Sequence, residues 1–271
     1  MSEKWSEWVG RTREAHDTIR ADQARALAAT LEGVAPVPAP DDALPPLWHW
    51  IFFHDVAPAS ELGADGHPKR GDFLPPVPLP RRMWAGGRLT FHRDLRLDAR
   101  AVRRSTIRAV TPKDGRSGQL CFVTVHHAIE VDGRMCVEEE HDIVYRDEPA
   151  PGATTPVPPQ APEGQGVEVV PDPILLFRYS ALTFNGHRIH YDRPYATQVE
   201  GYDGLIVHGP LIATLLAGLA ARQGRLVTFA FRAVSPLFDT TPFSIASDGA
   251  GNVWAANADG GLAMKAESTF A

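Results

Sequence analysis

The sequence predicts an α+β fold made of two related domains, because the same order of elements occurs twice. In each half of the chain a helical segment is followed by a series of short β-branched and apolar runs typical of an antiparallel meander. A proline-rich stretch, residues 148–166, separates the two halves and has the composition of a linker. Asp132-Gly133, between two long apolar runs, is a strong hairpin signal.

Composition limits the class of protein. The chain has 271 residues, of which 44% are hydrophobic and 22% charged, as in a soluble globular protein. A net charge of −6 disfavours a nucleic-acid-binding protein, because phosphate binding usually needs a basic surface. No stretch approaches the ~20 apolar residues of a membrane span, and the N-terminus has no signal-peptide core, so we expect no membrane association and a cytoplasmic location.

The first predicted domain begins with a helix over residues 18–33, which Asp17 or Thr18 would cap and Gly33 would end. Residues 47–54 (LWHWIFFH) are densely apolar and aromatic and are predicted to lie in the core. Strands are then expected over residues 88–97, 103–111, 118–131 and 134–145. The two cysteines, Cys121 and Cys136, fall in strand-like runs and are expected to be buried reduced thiols.

A long irregular segment, residues 63–87, precedes these strands. Its crowded prolines exclude an ordinary helix or central strand, and a loop of this length is usually either mobile or functional. It carries four basic side chains that suit an anionic phosphate tail, although a solvated basic loop explains them equally well: Lys69, Arg70, Arg81 and Arg82.

The second predicted domain has the same plan. A short strand at residues 167–170 and a helical to irregular segment at residues 174–190 lead to an apolar helix at residues 210–222. Pro210 suits a first helical turn. Strands follow at residues 226–235, 241–246, 253–258 and 262–269, with glycine-rich turns between them.

Several common motifs are absent. The sequence has neither a G-x-S-x-G elbow nor a P-loop lysine, and the GAGNVW at residues 249–254 fits a hairpin turn better than a dinucleotide site. His187 and His190 have metal-ligand spacing, but no cysteine lies near them and no carboxylate has an obvious ligand spacing. We therefore expect no metal site.

Residues 179–209 carry the most unusual chemistry, with three histidines among apolar residues: His187, His190 and His208. A neutral histidine can take or give a proton near neutral pH, and Asn185 can hold a water by donating and accepting hydrogen bonds. Gly209, before the predicted helix, offers a backbone N–H where an oxyanion can form. A structural role suffices for any one of these histidines, but the combination points to addition of water to an enoyl thioester.

These residues resemble a known motif. YSALTFNGHRIH at residues 179–190, followed by VHGP from Val207, resembles the R-specific enoyl-CoA hydratase (MaoC-like) family, whose motif reads roughly F-x-x-L-S-G-D-x-N-P-I-H and later A-H-G-M. The resemblance implies a hotdog fold, a long helix wrapped by an antiparallel sheet, and for this chain a double hotdog. By position Asn185 replaces the family's catalytic aspartate, His190 matches its histidine, and Gly209 matches the glycine whose N–H binds the thioester carbonyl.

The sequence departs from the motif at informative positions. Asparagine stands at 185 in place of aspartate, His187-Arg188 replaces Asn-Pro, and Phe184 replaces glycine. This form is similar to two-domain mesaconyl-CoA and itaconyl-CoA hydratases and to mitochondrial-type 3-hydroxyacyl-thioester dehydratases. That similarity implies a motif-free first domain (residues 1–148) that lines the substrate tunnel, a linker (149–166) and a catalytic domain (167–271).

The resemblance also suggests why residue 185 is neutral. A C5-dicarboxylic acyl group brings its own carboxylate near the site, where a second carboxylate would repel it, and Arg188 or Arg178 would pair with it. The expected substrate contacts are Tyr179, Phe184, His187, Arg188, His208, Arg81 and Arg82.

Two alternatives remain open at this point. One is a fatty-acid dehydratase whose 3-hydroxyacyl substrate is carried by CoA or by acyl carrier protein. The other is a non-catalytic hotdog subunit that binds acyl thioesters. In each case we expect no cofactor beyond the CoA of the substrate, and we expect a homodimer, since hotdog domains commonly pair.

Overall fold

The computed structural model describes residues 3–32, 38–39, 42–115, 118–147 and 157–271. In the first half of the chain the helices and strands are β1 Thr12–Thr18, α1 Ala21–Thr30, β2 Arg81–Phe91, β3 Arg100–Gly115, β4 Gly118–Val131 and β5 Arg134–Arg146. In the second half they are β6 Gln165–Val169, α2 Pro173–Leu182, α3 Gly209–Ala221, β7 Leu226–Ala233, β8 Phe243–Ser247, β9 Asn252–Ala256 and β10 Leu262–Phe270.

The ten strands of the described residues form one continuous antiparallel sheet in the order β1-β3-β4-β5-β2-β7-β10-β9-β8-β6. From one edge inward the first half gives β1-β3-β4-β5-β2, and from the other edge inward the second half gives β6-β8-β9-β10-β7. In both halves this is the order first, third, fourth, fifth and second strand. The predicted repeat of element order is therefore confirmed and extends to the strand order. The halves meet where β2 pairs with β7, from Gly86 opposite Arg232 to Thr90 opposite Thr228.

Two glycines permit the close approach at this junction. A Cβ atom on Gly86 would lie 2.5 Å from the carbonyl oxygen of Phe231, and one on Gly87 would lie 2.8 Å from the Phe231 ring. Any larger residue would push β2 away from β7. A single large apolar core then covers residues from both halves.

Helix α3 is the central helix of the second half. It lies against β7, β8, β9 and β10, and most of its side chains are buried, as its almost wholly apolar sequence requires. Its bounds agree to one residue with the helix predicted over residues 210–222, and Pro210 stands in its first turn, as predicted.

The beginning of the chain differs from the prediction. Helix α1 starts at Ala21 rather than Thr18, and residues 12–18 form β1, which pairs with β3. The predicted cap is also wrong: Arg20 occupies the N-cap position without a side-chain bond, and Asp17 accepts hydrogen bonds from the backbone of Thr18 and Phe53 instead. Gly33 lies outside the described residues. Helix α1 has ten residues and is shorter than the helix predicted over residues 18–33.

Residues 47–54 lie in the core, as predicted: they contain a 3-10 helix, Trp48–Ile51, flanked by buried Leu47 and Phe52. The irregular segment is shorter than predicted, because β2 begins at Arg81 and pairs with β5. Arg81 and Arg82 therefore lie on a strand rather than in a loop. Pairing with a long neighbouring strand here outweighs the proline-rich sequence before it.

The remaining predictions concern the linker, the cysteines and membrane spans. Residues 148–156 of the expected linker lie outside the described residues, and β6 begins at Gln165. Cys121 and Cys136 are buried and free, as predicted. In the part of the chain that the structure describes, no helix has the length and apolar character needed to cross a membrane.

Candidate active site

The segment between α2 and α3 carries most of the predicted site residues. Asp172 caps α2 by accepting a hydrogen bond from the Leu175 N–H at 2.7 Å, and Pro173 follows in the first turn. The helix ends in a turn in which Phe184 has a φ of 52°, and the Asn185 N–H donates to the Ser180 carbonyl at 2.8 Å. A phenylalanine with a left-handed backbone conformation is uncommon. Its exposed ring stacks on His54, with 5.5 Å between ring centroids.

His190 is buried in a short 3-10 turn, Arg188–His190, and its ring has a defined orientation. The Nδ1 atom lies 2.8 Å from the carbonyl oxygen of Ile206, which can only accept, so Nδ1 carries the hydrogen and Nε2 carries the lone pair. Burial lowers the His190 pKa to about 4, although the bond to Ile206 opposes this shift. His190 is therefore a neutral base at neutral pH, with Nε2 as its basic atom.

His208 supports His190 from behind. The two rings stack with 3.6 Å between centroids, and His208 Nε2 lies 2.8 Å from Ser180 Oγ. Its Nδ1 is buried without a hydrogen-bond partner, and burial lowers its pKa well below the usual value. Tyr179 packs edge-on against His208 at 5.1 Å and lies 3.4 Å from Thr214 through its hydroxyl. Both residues are buried beside His190.

Gly209, the first residue of α3, faces open space. A Cβ atom placed on it would meet nothing within 4 Å. Among the described residues, no contact with another part of the chain therefore requires glycine here. The N-terminus of α3 offers partial positive charge, and the free space beside Gly209 leaves room for an oxygen atom to approach its N–H.

Asn185 stands five residues before His190 in the turn that follows α2 and is half-buried. Its Oδ1 accepts a hydrogen bond from the His187 N–H at 3.0 Å, which leaves the amide group as the donor end of the side chain. The turn thus fixes the direction in which this side chain can donate.

The first half of the chain completes the site through residues that the sequence analysis did not identify. His67 packs against His187 with 4.1 Å between ring centroids, and His187 in turn meets His190 edge-on at 5.5 Å. Asp65 accepts two hydrogen bonds from His67, from its N–H and from Nδ1, each at 3.1 Å. Both residues stand in the segment GADGHP of the long loop, where only the basic residues had been considered.

Their protonation states follow from this packing. Burial lowers the pKa of His67 to about 4, with a further contribution from the charge of Arg82, and burial with the neighbouring His67 lowers that of His187 to about 2. Burial alone would raise the pKa of Asp65, but its bonds to His67 bring it well below the usual value. The pocket therefore contains neutral imidazoles beside one ionised carboxylate.

Asp65, His67 and His187 also form the group best placed to hold a metal. One ligand atom of each lies within 4.8 Å of the other two. However, Asp65 is already bonded to His67 through both oxygens, and the nearby positive charge of Arg82 opposes a cation.

Among the arginines expected to contact substrate, two are engaged within the protein. Arg188 donates to Asp192 at 2.7 and 3.0 Å and to the Ala64 carbonyl at 3.0 Å, and lies over the Tyr195 ring. Arg81 donates to the Glu200 carbonyl at 2.8 Å. Arg82, the next residue on β2, extends to the opposite face of the strand, and Arg178 is exposed on α2.

A cavity of about 280 Å³ lies elsewhere, beside the junction of the halves. Its lining includes Leu44, His49, Phe91, Leu95 and Leu226, and no residue of the candidate site. Proximity of the chemical groups, rather than cavity size, therefore defines the candidate site.

The sheet order and this site define a double hotdog with a single hydratase-type motif. The family model described as hydroxyacyl-thioester dehydratase type 2 matches residues 47–239. Mesaconyl-C(4)-CoA hydratase of Chloroflexus aurantiacus is 53% identical over 251 residues, which cover 90% of this chain and 89% of that protein. The chain therefore belongs to the hydroxyacyl-thioester dehydratase type 2 family.

Solved structures agree on the fold. The crystal structure of HtdX of Mycobacterium tuberculosis, 17% identical, superposes with a TM-score of 0.67 over 95% of this chain and 99% of that chain. A second protein of that organism, described as having a double hotdog fold, is 13% identical with a TM-score of 0.57 over 96% and 95% of the two chains.

Proposed function

We propose that this protein adds water across the α,β double bond of an enoyl thioester, with a C5-dicarboxylic acyl-CoA as substrate. In this proposal mesaconyl-CoA or itaconyl-CoA is converted to citramalyl-CoA. The observation that carries the proposal is the neutral His190, whose Nδ1 is held by Ile206 so that Nε2 is free to act as a base. The high identity to the Chloroflexus hydratase favours this substrate class.

The proposed reaction uses three groups. His190 Nε2 takes a proton from a water that the Asn185 amide orients, and the water oxygen bonds to the β-carbon. The electron pair of the double bond moves onto the thioester oxygen, where the Gly209 N–H and the α3 dipole stabilise the negative charge. The carbonyl re-forms as the α-carbon takes the proton back from His190. Dehydration is the reverse.

Asn185 fits a substrate with a second carboxylate. Asp65, the ionised carboxylate of this pocket, is held by two bonds from His67. An aspartate at position 185 would add a second negative charge close to the substrate carboxylate, which raises the cost of binding. The neutral amide keeps the water-orienting function without that repulsion.

A second candidate function is dehydration of a 3-hydroxyacyl thioester of fatty-acid metabolism, which uses the same groups. The description of the matching family favours it. Its carrier would be CoA or acyl carrier protein. A non-catalytic acyl-thioester-binding role is the third candidate, and the ordered His190 and Asn185 argue against it.

Several further expectations are part of the proposal. Residues 1–148 form the half that lines the substrate tunnel, residues 149–166 the linker, and residues 167–271 the catalytic half. No cofactor or metal beyond the CoA of the substrate takes part, and the protein acts in the cytoplasm. It works as a homodimer, which exposed apolar residues on and beside α2 support: Val170, Ile174 and Phe177.

A direct assay tests the function. Purified protein is supplied with mesaconyl-CoA, itaconyl-CoA and crotonyl-CoA in parallel, and the loss of enoyl absorbance and the product masses are followed, with a His190→Gln variant as control. Water addition to a C5-dicarboxylic thioester supports the proposal. Water addition to crotonyl-CoA alone would favour a role in fatty-acyl metabolism. If water is added to none of the three thioesters, hydratase activity on CoA thioesters is contradicted.

A further inference from the structure

Arg82 is a half-buried side chain on β2 whose charge has no counter-ion within the described residues. No ion pair joins it to a carboxylate there, whereas its neighbours are paired: Arg81 meets Glu200, and Arg88 meets Glu140 and Asp142. A partly desolvated guanidinium that lacks an anionic partner is costly unless a ligand supplies one.

Tyr145 lies beside Arg82 and lacks an acceptor for its hydroxyl hydrogen. The two residues are direct cross-strand partners on β2 and β5. The Tyr145 side chain is fully buried beside Arg82, whose guanidinium interacts with its hydroxyl oxygen. Among the described residues, no acceptor lies within hydrogen-bond distance of that hydroxyl. Buried hydroxyls normally find a partner. Burial raises the pKa of Tyr145, so that its hydroxyl remains a donor at neutral pH.

The surrounding charges favour an anion. Arg70 lies 5.0 Å from the centroid of the Tyr145 ring, with its guanidinium bonded to carbonyl oxygens, among them those of Val77 and Pro80. Arg82 also contributes to the lowered pKa values of His67 and His187, which places its charge beside the candidate active site. The carboxylate in this neighbourhood, Asp65, is occupied by His67.

From this arrangement we infer that Arg82 and the Tyr145 hydroxyl bind the carboxylate of the substrate's acyl group and so determine specificity for dicarboxylic thioesters. This inference rests on the proposed function. Arg188, the arginine expected for this role from the sequence, is bonded to Asp192 and to the first-half loop, and Arg178 lies exposed on α2. A carboxylate would give Arg82 a counter-ion and would accept the hydroxyl hydrogen of Tyr145.

The same donors would also suit a phosphate of CoA, and the test separates the two sources. Dissociation constants are measured by calorimetry for two unreactive saturated thioesters, methylsuccinyl-CoA and butyryl-CoA, and for methylsuccinyl-pantetheine, which lacks the CoA phosphates. The variants are Arg82→Gln and Tyr145→Phe. Arg108→Ala, at an exposed arginine on β3, is the matched control.

We expect Arg82→Gln to weaken the binding of methylsuccinyl-CoA and of methylsuccinyl-pantetheine by about 10- to 100-fold, the range for losing a charged hydrogen bond. The binding of butyryl-CoA should be unchanged. Tyr145→Phe should act in the same direction by a smaller factor and should fold normally, because no described residue accepts a hydrogen bond from the hydroxyl that it removes. If Arg82→Gln weakened the binding of butyryl-CoA equally and left the binding of the pantetheine thioester unchanged, Arg82 would be assigned to a CoA phosphate. An Arg82→Gln variant that matches Arg108→Ala would also overturn the inference.

Binding keeps this test separate from the reaction. Wild-type protein that binds the dicarboxylic thioester more tightly than butyryl-CoA in an Arg82-dependent way supports the inference even where no turnover is measured. Failure of water addition contradicts the proposed function instead. Wild-type protein that binds both CoA thioesters equally contradicts the inference alone.

Discussion

Gly66 and Gly186 pack backbone against backbone where the first half of the chain meets the candidate site. A Cβ atom on Gly66 would overlap the Gly186 carbonyl oxygen, and one on Gly186 would lie 2.8 Å from the Gly66 carbonyl oxygen. The Arg188 N–H donates to the Asp65 carbonyl at 2.9 Å beside this contact. The contact thus sets how His67 approaches His187.

Gly66→Ala should therefore damage the site. The added methyl group meets backbone atoms that cannot rotate away, and the φ of 87° is strained for alanine. We expect a loss of about 1–3 kcal/mol in unfolding free energy and a clear fall in kcat. Gly133→Ala is the control, since Gly133 has a φ of 68° with nothing within 4 Å. Urea unfolding and turnover of both variants check this, and equal behaviour of the two would contradict it.

Gly209→Ala should separate folding from activity. Its methyl group would meet no described residue within 4 Å, so stability should stay within about 0.5 kcal/mol. The methyl group would occupy the space proposed for the thioester oxygen, and kcat/KM should fall by about 100-fold, the scale of one oxyanion-hole donor.

Gly218→Ala, inside α3 and likewise open around its Cβ position, serves as the control. It should keep activity and gain up to about 1 kcal/mol from helix propensity. Full activity of Gly209→Ala would remove Gly209 from the mechanism.

His190→Gln should lower kcat by at least about 100-fold, the lower scale of general acid–base catalysis. For the wild-type enzyme, kcat/KM should fall on the acid side near pH 4, because the base must be unprotonated and burial lowers the His190 pKa to about 4. A midpoint near the ordinary histidine value of about 6.5 would show that a solvated group controls the rate. Stopped-flow pH jumps measure the profile before the protein can unfold.

Acid should destabilise the fold well before the carboxylates titrate. The folded pKa of His190, about 4, lies below the unfolded value of about 6.5, so the unfolded chain binds more protons as the pH falls. The resulting loss begins near pH 6.5, grows down to about pH 4 and is absent above pH 7.5. His67 and His187 contribute with the same sign.

For His190 alone the loss between pH 7.5 and 5.0 amounts to about 2 kcal/mol. Urea unfolding at the two pH values measures it, and a His190→Gln variant should lose about that much less than wild type. A variant as acid-sensitive as wild type would mean that His190 is not buried neutral.

Asn185→Asp tests the charge argument. The aspartate restores a titratable group at the position, and we expect kcat/KM for crotonyl-CoA to rise relative to that for mesaconyl-CoA, since only the latter carries a repelled carboxylate. The ratio of the two values, measured on the same preparation, is the readout. A ratio unchanged from wild type would leave the neutral side chain without an electrostatic explanation.

Local sequence signals predicted most of the fold. Helix α3 and the strands of the second half follow from apolar runs and turn residues, and they were located to within about two residues. Strand β1 was missed because six of its seven residues are polar or charged, so it has no apolar alternation of the kind that signals a strand. Its place is fixed by pairing with β3, which a local pattern does not show.

The candidate site divides in the same way. Asn185, His190 and Gly209 stand in one short motif, which a sequence can reveal. Asp65 and His67 lie more than 100 residues earlier and meet the motif only through the packing of the two halves. The interaction of Arg188 with Asp192 was likewise not visible, since it depends on the turn that follows His190.

The β2–β7 junction joins two halves of one chain, and these halves need not have the same sequence. If two identical hotdog subunits paired at this edge, each residue would necessarily occur twice in the assembly. In a single chain the two halves can carry different residues at corresponding positions. The first half is free to bring Asp65 and His67 to the candidate site while the second half brings His187 and His190, so the candidate site receives different residues from each half.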